Sequence, residues 1–149
     1  MYITPVKSAS DELWKALLRL VPQLTANNPP PTREDLAALV ISESSTLLIA
    51  RHPDANGPIV GAACLIVYRV PTGIRAVIED VIVDEKARGE GIGQGLVRVC
   101  LEIAQEKGAH RVALTSNPKR EAANKLYIKM GFTRRNTNSY IYDLSSVRK

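Results

Sequence analysis

The spacing of apolar positions changes character twice along the chain. From Ser10 the rows Leu13, Leu17, Leu24 and Trp14, Leu18, Val21 trace the apolar stripe of an amphipathic helix. Ser10 suits its N-cap, and Asp11 and Glu12 suit its first turn. A short strand is predicted before it, over residues 2–7. The run Thr25 to Pro31 contains three consecutive prolines, which break the helix and stiffen a loop. Thr32 can cap a second helix with Leu36, Leu39 and Val40 inward. Residues 46–83 then read as an antiparallel meander: a short apolar strand at 46–50, turn chemistry at 54–58, and longer strands at 59–70 and 74–83. After Gly91 the helical period returns to Lys107, with Leu96, Val99, Cys100, Ile103 and Ala104 on one face and Gly108 past its end. A strand at 111–115, a helix over 120–130 and a last strand at 138–144 complete the prediction. The sheet is therefore mixed and mostly antiparallel. Strand, helix and strand in succession around Gly91–Thr115 make a right-handed crossover with a parallel pair.

Length and composition narrow the classes. The chain has 149 residues, of which 45% are hydrophobic, enough for the core of one domain spanning 1–149. No apolar run is long enough to cross a bilayer, and Met1 to Pro5 lack the pattern of a secretion signal, so a cytoplasmic protein without membrane partners is expected. The net charge of +5 is spread along the chain, with no basic arm and few aromatics for stacking, which argues against nucleic acid and suits a ligand carrying phosphates. Cys64 and Cys100 sit in apolar patterns and are expected to be reduced and buried. His52 and His110 are isolated from each other and from both cysteines, so no metal is expected.

The chemistry concentrates between a strand and a helix, at Asp84 to Gly95. Glycines at alternate positions are costly unless the backbone must approach something closely. A helix N-terminus offers outward N–H groups to an anion, and Arg88 adds a fixed positive charge. The dinucleotide fingerprint fails, because Gln94 or Leu96 stands where its last glycine belongs. The P-loop pattern fails at the same residues. The form R-x-x-G-x-G fits Arg88-Gly89-Glu90-Gly91-Ile92-Gly93.

With Val81-Ile82-Val83-Asp84 before it, this segment resembles the central motif of the GCN5-related N-acetyltransferase superfamily. Asn117, then Glu121 to Tyr127, then Met130-Gly131-Phe132 resemble the segment that follows in that superfamily. The resemblance covers about residues 74–144 well, and the first half only in element order. It implies an α/β (α+β) fold in which strand 81–83 splays from its parallel neighbour to admit acetyl-CoA. Backbone groups of Val81, Ile82 and Val83 would bond the pantetheine arm and the thioester oxygen. Those of Arg88, Gly89, Glu90, Gly91, Ile92 and Gly93 would hold the pyrophosphate. Asn117 and Asn124 would lie along the pantetheine, and Tyr127 matches the frequent general acid.

Ile78-Glu79-Asp80-Val81 resembles the corresponding segment of glucosamine-phosphate N-acetyltransferases in the superfamily. That likeness favours Glu79 as base or amine anchor, then Asp80. In a regular strand only one of the two can face the substrate. Neither cysteine is expected at the reaction point, which favours direct transfer in a ternary complex over an acyl-enzyme. The acceptor is a small-molecule amine or an amine of a peptide or protein, with specificity expected from loops 25–31 and 71–73. A homodimer is compatible with the sequence. The rival reading is a non-catalytic module that senses acyl-CoA, which would keep the glycine loop but not need Tyr127.

Overall fold

The structure is a computed structural model and describes residues 1–145. Two compact units are present, Met1–Thr115 and a second beginning at Ser116.

The first unit is a five-stranded sheet with helices on both faces. Its elements are β1 (Tyr2–Pro5), α1 (Asp11–Leu24), α2 (Arg33–Ile41), β2 (Ser45–Arg51), β3 (Ile59–Val70), β4 (Gly73–Val83), α3 (Ile92–Glu106) and β5 (Val112–Ala113). The strands lie in chain order, antiparallel from β1 to β4, with β5 parallel to β4. Period-two alternation, shifted by one residue where β3 has an irregularity opposite Ala50 and Arg51, decides which helix each strand residue meets. Leu47, Ile49, Ile59, Ala62 and Ile82 pack with Leu13, Ala16, Leu17 and Leu20 of α1 and Leu36 of α2. Gly61 turns the other way: a Cβ there would press on Ile92 and Leu96 of α3 at 3.1 and 3.2 Å.

Local chemistry fixes the helix starts. The Ser10 hydroxyl accepts the Leu13 N–H at 3.2 Å. Thr32 and Asp35 form a reciprocal capping box at α2. The indole of Trp14 donates to the Pro31 carbonyl at 3.0 Å, which ties the proline loop back onto α1.

Several expectations are corrected. Leu18 is exposed, and Ala16 and Leu20 complete the buried stripe of α1. Val97 takes a core place in α3, while Val99 and Ile103 are only half-buried. The first strand ends at Pro5. β5 is two residues long where five were predicted, because only Ala76↔Val112 and Val77↔Ala113 pair.

The second unit contains α4 (Glu121–Lys129). Residues 138–144 form no strand. Tyr140, Ile141, Tyr142 and Leu144 are exposed, at 89%, 95%, 78% and 68%. Their alternating, aromatic-rich pattern has strand propensity, but propensity makes a strand only where a partner edge supplies hydrogen bonds.

Candidate active site

β4 carries the candidate site residues 79–83 of the first unit. Its ladder to β5 ends at Val77, while the strand runs on to Val83. The Asp84 N–H donates to the Val60 carbonyl at 2.8 Å, across β3. Backbone directions alternate, so the groups of Val83 point to the opposite edge, beyond the end of the parallel ladder. Arg88 Nε reaches the Val83 carbonyl there at 3.4 Å. The strand thus presents backbone polar groups on the edge where the parallel pair has parted.

The glycine loop follows. Asp84 caps a 3-10 turn over Glu85–Ala87, and α3 begins at Ile92 with Gly91 as its N-cap. Gly89 and Gly91 have φ of 83° and 77°, and an added Cβ would meet nothing within 4 Å at either. Left-handed backbone, not crowding within the chain, accounts for both glycines. Arg88, Gly89, Glu90 and Gly91 are exposed, whereas Ile92 is buried and anchors the helix start. The first-turn N–H groups of α3 have no intrahelical acceptor and face the loop side.

Glu79 and Asp80 lie on a β-bulge. Cys64 pairs with Glu79 and Ala62 with Ile82, so β4 holds one residue more than β3 across this interval. Asp80 absorbs it in left-handed conformation, φ 51°. The bulge breaks the regular alternation at this pair, and both residues are exposed. A cysteine lies across the ladder from this pair. Cys64 is the cross-strand partner of Glu79, but burial, followed by the Asp80 and Glu79 carboxylates, pushes its thiol up to about 11. It stays protonated at neutral pH and supplies no thiolate nucleophile. Burial likewise pushes Cys100 up to about 12.

Asp84 was not singled out as a functional residue by its sequence. It is buried at 8% exposure, and its carboxylate accepts the Lys86 N–H at 3.1 Å and Arg19 Nε at 3.3 Å. The Lys86 backbone bond, and after it Arg19, hold this carboxyl below the usual range against the opposing pull of burial. An aspartate directly after a strand and before Glu-Lys-Ala is the cue that a capping residue gives. Arg19, in mid-helix, gives none.

The second unit groups Asn117, Asn124 and Tyr127. The Asn117 side-chain oxygen accepts the Lys119 N–H at 2.9 Å, and its carbonyl accepts the Asn124 side-chain nitrogen at 3.0 Å. The two asparagines therefore brace one another at the start of α4. Tyr127 is buried, with its ring edge-on to Phe132 at 5.7 Å. Burial raises its hydroxyl above the ordinary tyrosine value, opposed by Arg120.

Comparison with known proteins decides the family. The sequence model of the acetyltransferase (GNAT) family matches residues 11–132. The chain belongs to that family. A protein of Oryza sativa subsp. japonica named probable glucosamine 6-phosphate N-acetyltransferase 2 is 36% identical over 129 residues, covering 84% of this chain and 75% of that one. The glucosamine 6-phosphate N-acetyltransferase of Trypanosoma brucei brucei is 42% identical over 80 residues, 52% of each chain. Among solved structures, an acetyltransferase of Trypanosoma brucei superposes with a TM-score of 0.76 at 30% identity, covering 96% of this chain and 99% of that one. Glucosamine-6-phosphate N-acetyltransferase of Arabidopsis thaliana superposes with a TM-score of 0.75 over 95% of this chain and 99% of that one; at 19% identity it shares the fold. This GNAT protein is an enzyme, an N-acetyltransferase acting on an amine, and the reading as a non-catalytic sensor is set aside.

Proposed function

We propose that this acetyltransferase moves the acetyl group of acetyl-CoA to the primary amine of an amino-sugar phosphate, by direct attack in a ternary complex. The observation that carries the coenzyme half is the β4 edge beyond Val77, which runs into a left-handed loop at Gly89 and Gly91 and then a helix N-terminus. Strand groups on this edge, beyond the β5 ladder, suit a pantetheine amide and a thioester oxygen, and the loop amides of 88–93 suit a diphosphate. The acceptor is supported by the relatives acting on glucosamine 6-phosphate and by the likeness around Glu79.

In this reaction the amine nitrogen attacks the thioester carbonyl carbon, the C–S bond breaks, and the amine proton passes to a base. Glu79 is the base or amine anchor in this reading, with Asp80 second. Tyr127 protonates the leaving thiolate, and its raised pKa keeps the proton available at neutral pH. Asn117 and Asn124 serve the pantetheine arm. The protonated state of Cys64 supports direct transfer over an acyl-enzyme. The enzyme acts in the cytoplasm as a homodimer, a reading that the exposed Tyr140, Ile141, Tyr142 and Leu144 support.

The test is thiol release from acetyl-CoA across a library of amino sugars, amino-sugar phosphates, polyamines, amino acids and peptides. Glucosamine 6-phosphate is expected to give the highest kcat/KM. Equal turnover of unphosphorylated glucosamine would overturn the phosphate part of the proposal, and turnover of peptides alone would overturn the acceptor class.

A further inference from the structure

We infer that Arg19 and Gln23 of α1 are positioning residues for the diphosphate loop, acting through Asp84 and Glu85. The inference rests on the reading that the amides of 88–93 hold a diphosphate. The three amides after Asp84 all have partners: Gln23 Oε1 accepts the Glu85 N–H at 2.9 Å, the Asp84 carboxylate accepts that of Lys86 at 3.1 Å, and the Asp84 carbonyl accepts that of Ala87 at 2.8 Å. The chain thereby enters the left-handed segment at Gly89 from a fixed direction.

Two of these three bonds depend on α1. Gln23 makes one directly. Arg19 supports the other, because its Nε donates to Asp84 Oδ2 at 3.3 Å and its terminal nitrogen donates to the Ile59 carbonyl at 2.5 Å. One guanidinium thus joins the start of β3 to the end of β4. It also answers a charge problem. Asp84 is a buried carboxylate close to the loop that would receive a diphosphate, and two anionic groups there repel unless a cation pairs with the carboxylate. Arg19 is that cation. The arrangement could not be read from the glycine motif, since Arg19 precedes Asp84 by 65 residues along the chain.

The inference separates the diphosphate from the rest of the coenzyme, and S-acetyl-pantetheine, which has no diphosphate, exposes the difference. In Arg19→Gln the KM for acetyl-CoA and the Kd for CoA by calorimetry should rise roughly tenfold, as expected for a buried carboxylate that has lost its partner. The kcat at saturating acetyl-CoA should stay within about twofold, and KM for S-acetyl-pantetheine should not move. Gln23→Ala, a milder change, should shift the same constants in the same direction, and serves if Arg19→Gln folds poorly. Amides 86–93 should exchange hydrogen faster in both variants. Arg19→Gln combined with Asp84→Asn should cost no more than the worse single change, because both act through one contact. Equal KM increases for both thioesters would make Arg19 a general structural residue and overturn the inference, as would an unchanged Kd for CoA in both single variants. A wild-type chain that bound no CoA would overturn the diphosphate reading itself, a different and recognisable failure.

Discussion

Gly89 and Gly91 give the loop something Gly95 does not. At Gly95 an added Cβ would run into Ile3 at 2.8 Å, so that glycine lets α3 approach β1. At Gly91 the space is open and the constraint is φ, 77°. Left-handed backbone costs an L-residue about 1–2 kcal/mol, and a β-branched side chain suffers most there. Gly91→Val should therefore weaken CoA binding sharply in calorimetry. Gly91→Asn should weaken it far less, because asparagine tolerates this region; equal losses would implicate side-chain bulk against the ligand instead. Tyr127→Phe should lower kcat by roughly 100-fold while leaving the Kd for CoA near its wild-type value. The pH profile carries the same assignment. Burial raises the Tyr127 pKa, so the proton is present below that value and lost as pH climbs through it. The alkaline decline of wild-type kcat should accordingly lie above about 10, and the limb should be absent in the phenylalanine variant.

At the scale of elements, caps were the most legible feature. Ser10 and Thr32 were both expected as N-caps, and both accept the N–H three residues on. Thr32→Ala should cost about 1 kcal/mol in denaturant unfolding and should loosen the proline loop that precedes α2. Helices and the β2–β4 meander were readable because their periodicity is local. The glycine loop was readable because few backbone tasks need glycines in that spacing. What the sequence concealed depends on partners. The bulge at Asp80 exists only in the register of β4 against β3, so an assumption of strict alternation could not include it. β5 shrank, and 138–144 proved irregular, because strand pattern does not say whether an edge is available. Arg19 meets Asp84 from α1 and Cys64 faces Glu79 from β3, pairings that no local spacing encodes.

On the whole-molecule scale, Tyr140, Ile141, Tyr142 and Leu144 form a run of exposed large apolar side chains in the second unit. A run of this kind left facing water favours association, and a second copy of the chain is always at hand. Light scattering coupled to size exclusion should give twice the chain mass. Ile141→Lys with Tyr142→Lys should bring it toward the mass of one chain; a wild-type monomer would end the dimer reading.

The two-rung junction between β4 and β5 has a consequence for handling the protein. A sheet that parts after two pairs lacks a rung where the pantetheine is proposed to lie, and a ligand bonding there stands in for the absent neighbour. Co-substrate and scaffold then merge. The melting temperature should climb with the logarithm of CoA concentration once the ligand exceeds its Kd, and purified stocks should keep better with CoA added than without it.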